Sequence, residues 1–333
     1  MTVDTLPAVA STAIEVDDLT VKFVTRERTV HAVNGISFSL GRGEVLGILG
    51  ESGSGKSVTL KAMMRLLPAT AKLGGRARVA GLDVLQLPET ELERVRGSKI
   101  AMIFQEPMTA LDPVFTIGRQ ISETIVRHTG CSWRTAEARA LEMLELVQIP
   151  SARRRLANYP HEMSGGMRQR AMIALALACR PTVLLADEPT TALDVTVQIQ
   201  VLLLLRQLQK DLGMSVIFVT HDIGVAVEVS DRIAVMYAGR FVETGTTRQV
   251  MRRHSHPYTR GLLRSTLHGV EPGSRLEAIP GAPPSLARAP TVCSFAPRCS
   301  QADSACLQGV PPLHDISDEH FVRCIKVVAT AAA

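Results

Sequence analysis

The residues Gly50-Glu51-Ser52-Gly53-Ser54-Gly55-Lys56-Ser57 follow the spacing G-x-x-x-x-G-K-[ST], with further glycines inside it. That pattern suits a phosphate ligand: glycines let backbone N–H groups converge on the anion, and a lysine supplies charge. An apolar run, Val45–Leu49, reads as a strand entering the loop. A helical run, Val58–Leu67, leaves it and adds the favourable end of a helix dipole. This strand–loop–helix context separates the motif from a glycine-rich turn. The ligand implied is MgATP, with Lys56 reaching the β- and γ-phosphates and the Ser57 hydroxyl ligating Mg²⁺.

Three other short β-type runs end in residues of chemical interest. Ile100–Phe104 runs into Gln105, Val183–Ala186 into Asp187-Glu188, and Val216–Thr220 into His221. Continuous apolar runs separated by helical segments read as buried strands of a parallel sheet. In such sheets the ligand lies beyond the carboxyl ends of the strands, so Gly50, Gln105, Asp187, Glu188 and His221 are expected along one edge. One carboxylate, Asp187, would hold the metal, and the next, Glu188, would polarise the attacking water. Ser164-Gly165-Gly166 opens another helical run, Met167–Cys179; taken alone, this is an N-cap with flexible glycines.

Around these residues, Ile14–Phe23 and Ile36–Leu40 read as antiparallel strands, joined by Ala77–Val79. Residues of about 112–165 form a helical insertion, with apolar residues at helix spacing over Thr135–Val147. After about Val250 the texture changes, with prolines from Pro257 through Pro272 to Pro312 interrupting regular structure. The organisation expected is an ATPase domain over 1–250 and an extension over 251–333.

The chain of 333 residues is 46% hydrophobic and 21% charged, with a net charge of +5, one Trp and three Tyr. So few aromatics argue against a nucleic-acid surface built on stacking. The first 21 residues hold no Lys or Arg, so no charged leader is read there. No apolar run approaches the roughly 18 residues of a membrane span, so membrane work implies a peripheral subunit.

The order of these motifs resembles the ABC-type ATPases over about Ile14 to Val250. The resemblance implies a RecA-like parallel-sheet core, an antiparallel β subdomain and a helical insertion, all in one P-loop nucleotide-binding domain. It matches Gln105 to the Q-loop glutamine, which also touches Mg²⁺, and Met163-Ser164-Gly165-Gly166-Met167 to the signature. Thr191-Ala192-Leu193-Asp194 resembles the D-loop, His221 the switch histidine and Phe23 the aromatic that stacks on adenine. The nucleotide-binding set implied is Phe23, Gly50, Ser52, Gly53, Ser54, Gly55, Lys56, Ser57 and Thr59, joined by Ser164, Gly165, Gly166 and Asp194. Glu188, His221 and Gln105 are the catalytic set. The signature departs from Leu-Ser-Gly-Gly-Gln at both ends, while Ser164 and the two glycines remain intact. In the family two such subunits sandwich ATP, each signature completing the other chain's site.

The tail narrows the resemblance. His256-Pro257-Tyr258-Thr259-Arg260-Gly261-Leu262-Leu263, Ile279-Pro280-Gly281 and Pro283-Pro284-Ser285-Leu286 are similar to the C-terminal extension of dipeptide, oligopeptide and nickel importer ATPases. The implied partners are two permeases, a second and paralogous ATPase and, indirectly, a solute-binding protein, with this chain on the cytoplasmic face of the plasma membrane. Other readings are import of nickel or another small solute, and a soluble ABC protein working on nucleic acid or ribosomes; one cassette without sustained heptads disfavours the latter. An exporter would leave the tail unexplained. Four of the six cysteines, Cys293, Cys299, Cys306 and Cys324, are spaced C-x5-C-x6-C-x17-C. Zinc sites use closer pairs. The spacing and the resemblance lead to the expectation of a [4Fe–4S] cluster, with Zn²⁺ or free thiols as alternatives. His314 and His320 are alternative ligands.

Overall fold

The computed structural model describes residues 12–191, 193–265, 278–317 and 319–327. Residues 1–11 of the leader reading, Ala192 of the D-loop match and Pro272 of the proline-rich tail lie outside it.

Strands β1 (Thr12–Val24), β2 (Thr29–Gly41), β4 (Ala71–Val79) and β5 (Leu82–Asp83) form an antiparallel sheet in the order β2-β1-β4-β5. The second sheet is built on β3 (Val45–Leu49), β6 (Ile100–Ile103), β7 (Val183–Asp187), β8 (Ser215–Thr220) and β9 (Arg232–Tyr237), which run parallel. β3, β6, β7 and β8 are buried on both faces, which is why they read as continuous apolar runs. β10 (Arg240–Thr246) then turns back antiparallel to β9.

The phosphate loop feeds α1 (Lys56–Met63), and α2 (Glu89–Val95) lies between the antiparallel sheet and β6. After β6 comes α3 (Pro107–Ala110), and residues 112–165 then hold α4 (Ile117–Thr129), α5 (Trp133–Leu146) and α6 (Ala152–Arg155), followed by α7 (Gly165–Leu177). Thr116, Ser132 and Ser164 cap α4, α5 and α7 by accepting from the backbone N–H of the third residue of each helix. One apolar cluster joins these helices to one face of the parallel sheet, and α1, α2 and the antiparallel sheet cover the other. α8 (Val195–Leu212) and α9 (Ile223–Val229) complete the crossovers. No helix among the described residues is long and apolar enough to cross a membrane.

The segment beyond residue 250 does not stand apart. After α10 (Thr247–Arg252) and α11 (Pro257–Arg264), β11 (His314–Ser317) and β12 (His320–Val322) extend the large sheet past β10. A third apolar cluster joins Tyr258 and Phe295 to Leu49, Val235 and Tyr237 of the ATPase core. Glu243 of β10 is wholly buried and accepts from the backbone N–H groups of Ser255 and His256, and it pairs with His320 Nε2 at 2.8 Å. A segment too rich in proline to build its own core thus uses its neighbour's.

This junction is sensitive to pH. His256 Nδ1 caps α11 by accepting the Tyr258 N–H, which requires an unprotonated nitrogen, and burial pushes the His256 pKa from 6.5 down to about 4. Because the folded value lies below the unfolded one, the contribution is full above about pH 6.5 and is lost as pH falls toward 4. Burial also opposes the Glu243 charge, but hydrogen bonds from His320 and the backbone outweigh it, so protonating this carboxylate adds to the loss at lower pH. Unfolding free energy should drop by up to ~3 kcal/mol across that window. His256→Asn, which keeps a capping acceptor without titrating, should flatten the profile in urea titrations; an unchanged slope would contradict the assignment.

Candidate functional site

At the carboxyl edge of the parallel sheet, the loop bends from β3 into α1 around two glycines that admit no side chain. A Cβ on Gly50 would lie 2.3 Å from the Met236 carbonyl oxygen. Gly55, at φ 108°, would bring one within 2.5 Å of the Ala32 carbonyl oxygen. The Lys56 ammonium is nearly buried and donates to the Gly50 and Glu51 carbonyl oxygens at 2.7 and 3.0 Å. Burial pushes its pKa down, while the charges of Glu188, Asp187 and Glu51 favour the ammonium.

Ser57 Oγ donates to Asp187 Oδ1 at 2.6 Å, joining loop and strand end across 130 residues of chain. Asp187 is buried, and desolvation raises its pKa against the Ser57 hydrogen bond. The chain then turns sharply, with Glu188 at φ 45°, a left-handed conformation uncommon outside glycine. The turn separates the two carboxylates: Asp187 meets Ser57, and Glu188 faces the opposite set. Glu188 Oε2 is approached by Thr191 Oγ1 at 3.0 Å, His221 Nδ1 at 3.2 Å and Gln105 Nε2 at 3.3 Å. The ends of β6, β7 and β8 thus meet at Glu188, and the loop after β3 joins them through Ser57 and Asp187.

The loop and the residues around Glu188 line a cavity of about 600 Å³, within the range of small-molecule sites. Its wall includes Glu51 through Val58, Gln105, Glu188, Thr191 and His221, with Val30, Ala32 and Leu286 at the apolar end. Ser54 Oγ is buried in this wall with no hydrogen-bond partner among the described residues, as suits a hydroxyl that meets a phosphate. Ser57, Asp187 and the Gln105 amide offer hard oxygen donors of the type Mg²⁺ takes.

Other residues of the expected nucleotide-binding set do not line this cavity. Thr59 is fully buried and spends its hydroxyl on the Gly55 carbonyl oxygen, so it braces the helix and does not face the cavity. Phe23 is half-buried against the cluster beneath the antiparallel sheet, opposite Val30 in the ladder; Val30 lines the cavity wall and Phe23 does not. Ser164, Gly165 and Gly166 lie outside the cavity at the start of α7, where Gly166 lets Val197 of α8 approach closely: a Cβ there would meet Val197 Cγ1 at 2.8 Å. Asp194 caps α8 by accepting the Val197 N–H at 3.0 Å.

The iron–sulfur expectation is overturned. Among the described residues no group of three or more His, Cys, Asp or Glu side chains is arranged to hold a metal ion, so zinc is unsupported as well. Backbone hydrogen bonds such as Cys293 N–H to Cys306 O fold the segment, and all six cysteines are free. Burial pushes the Cys293 and Cys299 thiols up. His320 is committed to Glu243. The segment is held instead by Tyr237, Tyr258 and Phe295 packing together, by the Arg298–Glu51 ion pair and by the buried His320–Glu243 hydrogen bond.

A family model described as ABC transporter matches residues 33–191. A dimeric ATP-binding cassette solved in a post-hydrolysis state with ADP and Pi superposes with a TM-score of 0.63 at 30% identity, over 71% of this chain and 99% of that one. Fold and site together define an ABC-type ATPase, an enzyme that hydrolyses ATP. A second family model, described as oligopeptide/dipeptide transporter C-terminal region, matches residues 242–306. The oligopeptide transport ATP-binding protein OppD of Salmonella typhimurium is 47% identical over 97% of this chain and 96% of its own length. Its Bacillus subtilis namesake is 48% identical over 93% and 87%. The chain belongs to this family of ATP-binding subunits of peptide-type ABC importers.

Proposed function

We propose that this chain is the ATP-hydrolysing subunit that powers import of di- and oligopeptides across the plasma membrane, working peripherally on its cytoplasmic face. The observation that carries the reading is likeness over almost the whole chain, tail included, to oligopeptide transport ATP-binding proteins. Lys56 and the loop N–H groups hold the β- and γ-phosphates. Ser57, Asp187 and Gln105 would hold Mg²⁺, which when bound neutralises phosphate charge. Glu188 takes a proton from the attacking water, and the Gln105, Thr191 and His221 contacts fix its carboxylate near the γ-phosphate. Ser164-Gly165-Gly166 lies outside its own chain's cavity, so it serves the site of a second, paralogous ATPase subunit. Two permeases receive the resulting motion, and a solute-binding protein delivers the peptide.

Affinity capture of the tagged chain from detergent-solubilised membranes tests this assembly. Two permeases and a second cassette subunit should co-purify. Capture of ribosomes or nucleic acid in their place would overturn the transport reading.

A further inference from the structure

Glu51 sits second in the phosphate loop at a position its motif leaves open, yet it is held from several directions. Its carboxylate accepts two hydrogen bonds from Arg298, Nη1 to Oε2 at 2.7 Å and Nη2 to Oε1 at 3.0 Å. Its backbone N–H donates to Tyr258 Oη at 2.9 Å, and its carbonyl oxygen accepts from Lys56 Nζ. Both outside partners belong to the C-terminal segment, 247 and 207 residues away.

Neither partner is a loose surface group. The Arg298 side chain is 4% exposed, and its remaining donors reach the Pro280 and Ile279 carbonyl oxygens and Tyr237 Oη. Tyr258 is fully buried, with its ring against Tyr237 and Phe295. The same segment brings Leu286 to the cavity wall and ties it there through the His31 N–H, which donates to the Leu286 carbonyl oxygen at 2.8 Å.

A glycine-rich loop loses much conformational freedom when it closes on a ligand, and fixing it beforehand reduces that cost. A bidentate arginine–carboxylate pair fixes direction as well as distance. We propose that Arg298 and Tyr258 are positioning residues for the nucleotide site: acting through Glu51, they set the first half of the phosphate loop so that Lys56 and the loop N–H groups face the triphosphate. The extension is then part of the ATP-binding apparatus of this chain. The inference rests on the ATP-site reading above.

The test compares full-length wild type with Arg298→Met, Arg298→Lys, Glu51→Gln and the double variant Glu51→Gln/Arg298→Met. Fluorescent-nucleotide titration gives affinity, and the assembled transporter gives KM and kcat for ATP. Arg298→Met should weaken nucleotide binding and raise KM by roughly tenfold, with kcat at saturating ATP changed less than about threefold. Arg298→Lys should recover part of the affinity. The double variant should be no worse than the weaker single variant, because both remove one interaction. Should Arg298→Met fail to fold, Tyr258→Phe removes only the hydroxyl from the Glu51 N–H and should raise KM by a few-fold. Folded Arg298→Met or Tyr258→Phe with wild-type affinity and KM overturns the inference, as do fully additive losses in the double variant. Lys56→Ala separates the two levels. If it loses affinity while Arg298→Met does not, the positioning role alone fails; if it too binds normally, the site reading fails.

Discussion

Glu188→Gln should abolish at least ~99% of steady-state ATP hydrolysis while leaving nucleotide affinity within about twofold, since a positioned general base contributes 10²–10⁴-fold. The substitution keeps size and hydrogen-bonding capacity, so Gln105, Thr191 and His221 retain a partner at that position. Only the capacity to take a proton is removed. Asp187, which meets Ser57 on the other side of the left-handed turn, is untouched, so the metal-binding side of the site persists. ATP should therefore accumulate at the site and stabilise the paired cassettes, visible as a nucleotide-dependent dimer in sedimentation. Near-normal phosphate release from this variant would remove Glu188 from the chemistry.

Lys56→Ala should act a step earlier, on binding itself. The ammonium is nearly buried, and its two carbonyl contacts aim it across the loop. Losing a charge-assisted contact of this type costs about 2–3 kcal/mol, or roughly a 30- to 150-fold weaker Kd. The backbone carbonyl oxygens of Gly50 and Glu51 would also lose the donor they share. Unchanged affinity in a nucleotide titration would exclude Lys56 from the site.

Much of this site was legible because its parts leave local marks. The runs into Gly50, Gln105, Asp187 and His221 are almost wholly apolar, since β3, β6, β7 and β8 are covered on both faces, and the loop motif spans eight consecutive residues. What escaped depends on pairings between distant segments. Glu51 gives no sign that Arg298 and Tyr258 will seek it, and Val30 and Leu286 were not singled out as cavity wall. Phe23, matched to the adenine-stacking aromatic, is half-buried opposite Val30, and it is Val30 that lines the cavity. Cysteine spacing suggested a cluster because it measures chain length and says nothing of where side chains converge. The extension's support, buried aromatics, Arg298 with Glu51 and Glu243 with His320, is assembled from residues up to 247 positions apart.

The central claim is that ATP hydrolysed at Gly50–Ser57, Asp187 and Glu188 drives peptide import. It is tested most directly in proteoliposomes carrying the purified assembly, with ATP on the side this chain faces. Labelled-peptide uptake and phosphate release are followed together. Both should rise when peptide-loaded binding protein is added, and both should collapse when this chain carries Lys56→Ala. Peptide uptake at the wild-type rate with Lys56→Ala would contradict the account.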